Sequence, residues 1–76
     1  MRAYILIKVR TGEIREVVRQ LKRVDGVVDA TMTFGPYDAV AVVEAADVAG
    51  IGRIMASGLQ PIPGVTETLT CLAVEA

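Results

Sequence analysis

Two groups of residues in this 76-residue chain have the types and spacing to hold a small polar molecule. The first is Gly35-Pro36-Tyr37-Asp38, with Thr33 just before it and the apolar run AVAVV just after. A carboxylate at the mouth of an apolar strand is desolvated unless a donor pairs with it. A ligand ammonium would be a suitable donor, and Gly35 would let a backbone N–H approach a ligand carboxylate. The second group is Thr66, Thr68 and Thr70, whose period of two puts three hydroxyls on one face of an extended segment. Both groups also have a plainer reading: a hairpin turn in the first case, and the β-propensity of threonine in the second.

The remaining polar features are less specific. Arg15, Arg19, Lys22 and Arg23 form a basic helix face, which reads as a solvated surface with local pairs to Glu13 and Glu16. Nucleic-acid binding on a sheet would call for stacking aromatics, and Tyr4 and Phe34 do not make such a platform. With a net charge of −1 there is no global basic field for a polyphosphate, so direct DNA binding is not expected. Cys71 is the only cysteine, so no internal disulfide can form; on an apolar alternation it reads as a buried small hydrophobe. The lack of histidine weighs against a zinc site or a histidine-based triad, and no cofactor is implied. The apolar stretch after Met1 and Arg2 is broken by Lys8, too short for a signal-peptide core or a membrane span. The expected setting is the cytoplasm.

The positioning elements follow from periodicity. Residues 4–9 (YILIKV) read as a strand. Ile14, Val17, Val18 and Leu21 recur at helical spacing, and Asp25-Gly26 ends that element. Residues 27–34 form a second strand, Gly35-Pro36 turns it, and residues 37–45 form a third. Asp47 is a good N-cap for a second helix, whose buried stripe would be Val48, Ile51, Ile54, Met55 and Leu59. Residues 65–74 are the last strand. The halves also resemble one another: DGVVDATMT (25–33) and PGVTETLTC (63–71) share Gly-Val, an acid two residues later, and threonines. The order βαββαβ predicts one α+β domain over residues 1–76, a ferredoxin-like sandwich: an antiparallel sheet with two helices on one face.

A two-residue loop at Gly35-Pro36 would pair Phe34 with Tyr37, Met32 with Ala39, Ala30 with Ala41 and Val28 with Val43. That apolar face would meet the helices. The other face would carry Thr33, Thr31 and Asp29 with Asp38, Val40 and Val42, joined on the last strand by Thr66, Thr68, Thr70, Leu72 and Val74. A mixture of threonine, valine, leucine and one or two acids suits a protein–protein face with polar pockets. The chain is 53% hydrophobic, much aliphatic surface for so small a domain, which also points to a subunit contact. With strand order 4-1-3-2, Asp38 and Thr66/Thr68 would lie far apart in one subunit and would cooperate only across a subunit boundary.

The G-x-Y-D turn at residues 35–38, the stretch from Pro63 to Thr70 and the run TGEIREVVRQLKRVDGVVDA resemble the ligand-sensing (RAM-type) domain of the Lrp/AsnC transcriptional regulators. The resemblance covers essentially the whole chain. It implies an amino-acid-sensing domain that dimerises through its sheets and builds higher rings, such as octamers or decamers. It also implies an amino acid held between neighbouring dimers. The backbone groups of that amino acid would lie at Gly35, Pro36, Tyr37 and Asp38, beside Thr33, and Thr66 and Thr68 of a neighbour would complete the pocket. Because the chain begins almost directly on its first strand, it resembles the family's modules without a DNA-reading head, and co-assembly with full-length regulators is the expected route to DNA. Two alternatives use the same fold. One is a small enzyme of monooxygenase or isomerase type with Tyr37 and Asp38 as acid and base. The other is an ACT-type regulatory domain, for which Thr11-Gly12 is a poor version of the glycine-rich loop.

Overall fold

In the first segment, Ala3, Ile5, Ile7 and Val9 alternate with Arg2, Tyr4, Leu6 and Lys8, and the odd-numbered set is buried in strand β1, Arg2–Val9. The computed structural model describes residues 1–74. Helix α1, Ile14–Leu21, follows and buries Val17 and Leu21. Strands β2 (Val27–Met32) and β3 (Ala39–Glu44) come next. Helix α2 spans Val48–Ile54 and runs on as a π-helical turn, Met55–Leu59, before strand β4, Val65–Leu72. The sheet order is β2-β3-β1-β4, with β1 antiparallel to both β3 and β4, and β2 antiparallel to β3. This is the ferredoxin-like βαββαβ sandwich. Among the described residues, no helix is long and apolar enough to cross a membrane.

The core lies between the sheet and the helices. It joins Ile5 and Ile7 of β1 to Val17, Leu21, Ile51, Met55 and Leu59, with Ala39 and Ala41 of β3 beneath them. Small residues on the inner strand let the helices approach closely. Asp47 caps α2 as its sequence predicts, its Oδ1 accepting from the N–H of Gly50 at 2.8 Å. In the expected stripe Ile51, Met55 and Leu59 are buried, whereas Val48 is more than half exposed.

On α1, Glu16 accepts two hydrogen bonds from Arg19, at 3.0 and 2.5 Å, and one from Gln20 at 2.8 Å. The Arg19 and Gln20 donors hold the Glu16 carboxyl down at about 2. A depressed carboxyl stabilises the folded state above its ordinary range and loses that effect as pH falls toward the folded value. Glu16→Gln should therefore melt at a lower temperature than wild type at pH 7, and the gap should close between about pH 4.5 and about pH 2. Thermal melts across that range check this, and a gap that widens in acid would contradict it.

The register departs from the sequence reading in three places. Met32 faces Ala39 and Ala30 faces Ala41 as expected, but Val43 faces Val27 and not Val28. Val28 is the extra residue of a β-bulge and is 54% exposed. Next, the strands stop at Met32 and restart at Ala39, so the connection is longer than two residues and Phe34 does not pair with Tyr37. The third departure is the face of β4. Thr68, Thr70 and Leu72 pair with Ile7, Ile5 and Ala3, whose side chains are buried, so these residues lie on the helix side of the sheet. The open face carries Glu67, Leu69 and Cys71 opposite Lys8, Leu6 and Tyr4. Leu69 is 47% exposed and Cys71 is also exposed, not buried as its apolar alternation implied. The cause is that β4 is an edge strand: its helix-side residue Thr70 is exposed, so a hydroxyl is tolerated where an inner strand needs an aliphatic.

The two similar sequence stretches occupy equivalent places. Gly26 and Gly64 have φ of 97° and 98°, a region that favours glycine. Each offers its carbonyl to a returning strand or turn: Gly26 accepts from the N–H of Glu44 at 2.8 Å, Gly64 from that of Arg10 at 2.7 Å. Each is followed by a bulge, at Val28 on β2 and at Thr66 on β4, where no cross-strand partner exists. Gly26 does not cap α1, which ends at Leu21 with Lys22 as its cap.

Candidate functional site

The turn before β3 is organised by hydrogen bonds within the chain. The N–H of Thr33 donates to the carbonyl of Asp38 at 3.0 Å, and the Thr33 hydroxyl donates to the carbonyl of Tyr37 at 2.8 Å. The N–H of Asp38 donates to the carbonyl of Ile7 at 2.8 Å. Gly35 has φ 143°, which lets the chain reverse at the exposed tip beside Pro36. Lys8 Nζ lies 5.7 Å from the centroid of the Tyr37 ring, within cation–π range.

The Asp38 carboxylate is already partnered. Its Oδ2 accepts from the backbone N–H of Val9 at 2.8 Å, in a half-buried setting. The sequence argument treated this carboxylate as needing an outside donor; the chain supplies one from β1. One carboxylate bond leaves further lone-pair sites, so Asp38 can still accept from a ligand.

Thr66 sits on the other side of the same peptide unit. Its hydroxyl donates to the carbonyl of Lys8 at 3.2 Å, while the N–H of that unit, on Val9, donates to Asp38. The two halves of the candidate site therefore flank one peptide group of β1. The expectation that they lie far apart in one subunit is corrected: Asp38 belongs to the β3–β1 seam, and β4 is the next strand over. Two strand spacings amount to ~10 Å. Even so, the β1 backbone stands between them. Thr66 and Thr68 line a shallow dent of about 280 Å³ with Gln60, Val65 and Glu67, at the edge strand.

Gln60, Lys8 and Glu67 are site neighbours that the sequence reasoning did not single out. A lone lysine inside the apolar strand YILIKV was a usable signal. Gln60 had none, since it depends on how the π-helical turn ends above β4.

The open sheet face lies beside both halves. Val40 and Leu69 flank Leu6, and Val42 and Cys71 flank Tyr4, so apolar or weakly polar groups cover the β3, β1 and β4 positions of two successive rows. Thr31 and Asp29 extend the rows onto β2. On the helix side, between α2 and β4, a groove of about 450 Å³ is lined by Val48, Ile51, Gly52, Met55, Gln60 and Leu72, among others.

Comparison with known proteins fits this architecture. Over 59 residues the chain is 36% identical to PH1916, a helix-turn-helix-type transcriptional regulator of Pyrococcus horikoshii, covering 78% of this chain and 39% of that protein. The chain thus spans about two-fifths of that relative's length. The crystal structure of TTHA0845 from Thermus thermophilus superposes with a TM-score of 0.92 at 29% identity, covering 99% of this chain and 94% of that one. A Neisseria meningitidis transcriptional regulator in complex with L-Met shares the fold with a TM-score of 0.85 at 16% identity, covering 97% of this chain and 49% of that one. The family model for the Lrp/AsnC ligand-binding domain matches residues 2–76, and the chain belongs to that family.

Proposed function

We propose that this domain is a non-enzymatic, amino-acid-sensing module that assembles with itself and holds its effector between copies. The observation that carries the reading is the divided site. The 33–38 turn and the Thr66/Thr68 dent lie on opposite sides of β1, so a ligand that uses both would take each half from a different copy. The uncovered rows around Leu6 and Tyr4 supply a surface on which copies can meet. The Neisseria regulator, which shares this fold, forms a complex with L-Met, and this supports an amino acid as the ligand class. In this reading Asp38 takes the ligand ammonium, and backbone groups near Gly35 and Pro36 take its carboxylate. Tyr37 walls the site, Thr33 braces the turn, and Thr66 and Thr68 complete the pocket. The same open face would let the module co-assemble with full-length family members in the cytoplasm and so act on transcription without touching DNA itself.

An enzyme on this fold would use Tyr37 and Asp38 as its acid and base. Asp38 is committed to the Val9 N–H, which suits a fixed binding group better than a proton carrier.

Calorimetry against the twenty amino acids tests the proposal. At least one should bind, and its apparent affinity should fall when the protein is diluted until assemblies dissociate, because each pocket needs two copies. No binding by any amino acid, or equal binding to dissociated protein, would count against it.

A further inference from the structure

Lys8 is the only charged residue between Ala3 and Val9 in β1. It alternates with the buried set, so it stands on the open face, opposite Glu67 of β4. On its other side the β1–β3 ladder has already ended at Ile7 and Ala39, and the turn residues Tyr37 and Asp38 take the place of a strand. Two carboxylates therefore flank Lys8, yet it is ion-paired with neither. Among the described residues the ion pairs are Arg2–Glu44, Arg10–Glu13 and Arg19–Glu16. The Lys8 ammonium instead stands over the Tyr37 ring, 5.7 Å from its centroid. A cation on a ring face keeps its N–H donors for another acceptor.

We infer that Lys8 is a further ligand-binding residue, whose ammonium takes the α-carboxylate of the amino acid whose α-ammonium meets Asp38. This role rests on the proposed amino-acid site at the turn and supplies a charge which that site lacks. An α-amino acid is a zwitterion, and Asp38 answers only one of its two charges. The turn itself offers the carboxylate neutral donors at best. Its N–H groups at Thr33 and Asp38 are spent within the chain, and Pro36 has none. A charged donor makes roughly twice as strong a bond to a carboxylate as a neutral one.

The strand holds the two opposite charges near each other without letting them cancel. Asp38 is tied to β1 through the Val9 N–H, at 2.8 Å, and Lys8 is the residue before Val9. Paired together, both groups would be used up; kept apart, each remains open to one end of a zwitterion. The Tyr37 ring limits where the long lysine stem wanders, so less rotamer freedom is lost when a ligand arrives. A site built in this way selects free α-amino acids over the corresponding amides, whose carboxamide carries no charge.

Calorimetry with two probes tests the assignment. One is the tightest binder of the twenty amino acids, and the other is the primary amide of that same amino acid. Wild type, Lys8→Met and Lys8→Arg are compared, with a melting curve for each. Methionine keeps much of the stem at this exposed position and drops the charge. For the free amino acid, Lys8→Met should bind about tenfold or more weakly than wild type, the effect of losing one charge-assisted bond, and Lys8→Arg should recover most of that. For the amide, wild type and Lys8→Met should bind alike, because no carboxylate is left to meet. A lysine that only braced the sheet would not separate the two probes. Lys8→Gln, polar and uncharged, repeats the comparison where Lys8→Met melts well below wild type. Equal binding of the free amino acid with and without the Lys8 charge overturns the anchor and leaves the amino-acid reading standing. A variant that weakens both probes by the same factor does so too. A wild type that binds none of the twenty overturns the amino-acid reading and the anchor together.

Discussion

Leu6→Asp should turn the assembled protein into monomers. Leu6 is at the centre of the open face, between Val40 on β3 and Leu69 on β4, and is itself only partly exposed. In the folded monomer an aspartate there would still reach water, so the fold should survive. In a face-to-face dimer the twofold axis would bury the substitution twice, once from each copy. An unpaired buried charge costs several kcal/mol per ion, and the nearest cation on this face, Lys8, stands one row away opposite Glu67. A loss of this size weakens dimerisation by about a thousandfold or more, beyond reach at micromolar concentration. Size-exclusion chromatography with light scattering reads the result. Cys71 provides a second reading, because it lies on the same face beside Tyr4. A maleimide should label it slowly in wild type and quickly in Leu6→Asp. A folded Leu6→Asp dimer would remove the open face from consideration as the assembly surface.

The fold was legible because its inner elements obey simple periods. β1 alternates, α1 shows its stripe at Val17 and Leu21, and Asp47 caps α2 as its side chain allows. The errors lie at the edges of the sheet. Alternation on β4 separates two sets of residues but does not say which set faces the helices, and on an exposed edge the threonines occupy the side that an inner strand would fill with aliphatics. The bulges at Val28 and Thr66 were within reach of the sequence. Both follow a Gly-Val pair, and the shared acid after them marks the two stretches as equivalent. Recognising that equivalence would have shifted the β2 register by one residue at the bulge and removed Val28 from the core. At the site, the residue types of the 35–38 turn could be read directly. That Asp38 and Thr66 grip one peptide unit could not, because it depends on strand order and on the bulge together.

Asp38 carries two roles that a single alanine substitution would confuse. Its Oδ2 satisfies the Val9 N–H, and in the proposed function its charge meets a ligand ammonium. Asp38→Ala removes both. It leaves a half-buried donor without its partner, at a cost of about 1–3 kcal/mol in stability. A domain this small has little margin, so a large drop in melting temperature is expected. Asp38→Asn separates the roles. The amide oxygen can still accept from Val9, so its melting temperature should stay much closer to wild type. The negative charge is gone, and a charge-assisted bond is worth about 1.5–3 kcal/mol, so amino-acid affinity should fall about ten- to a hundredfold. Melting curves and calorimetry on the two variants give the comparison. If Asp38→Asn binds the amino acid as wild type does while Asp38→Ala unfolds early, Asp38 is a structural brace for β1 and the ammonium must be met elsewhere. If Asp38→Asn keeps its stability and loses its ligand, the carboxylate at the mouth of the apolar strand serves both the sheet and the effector.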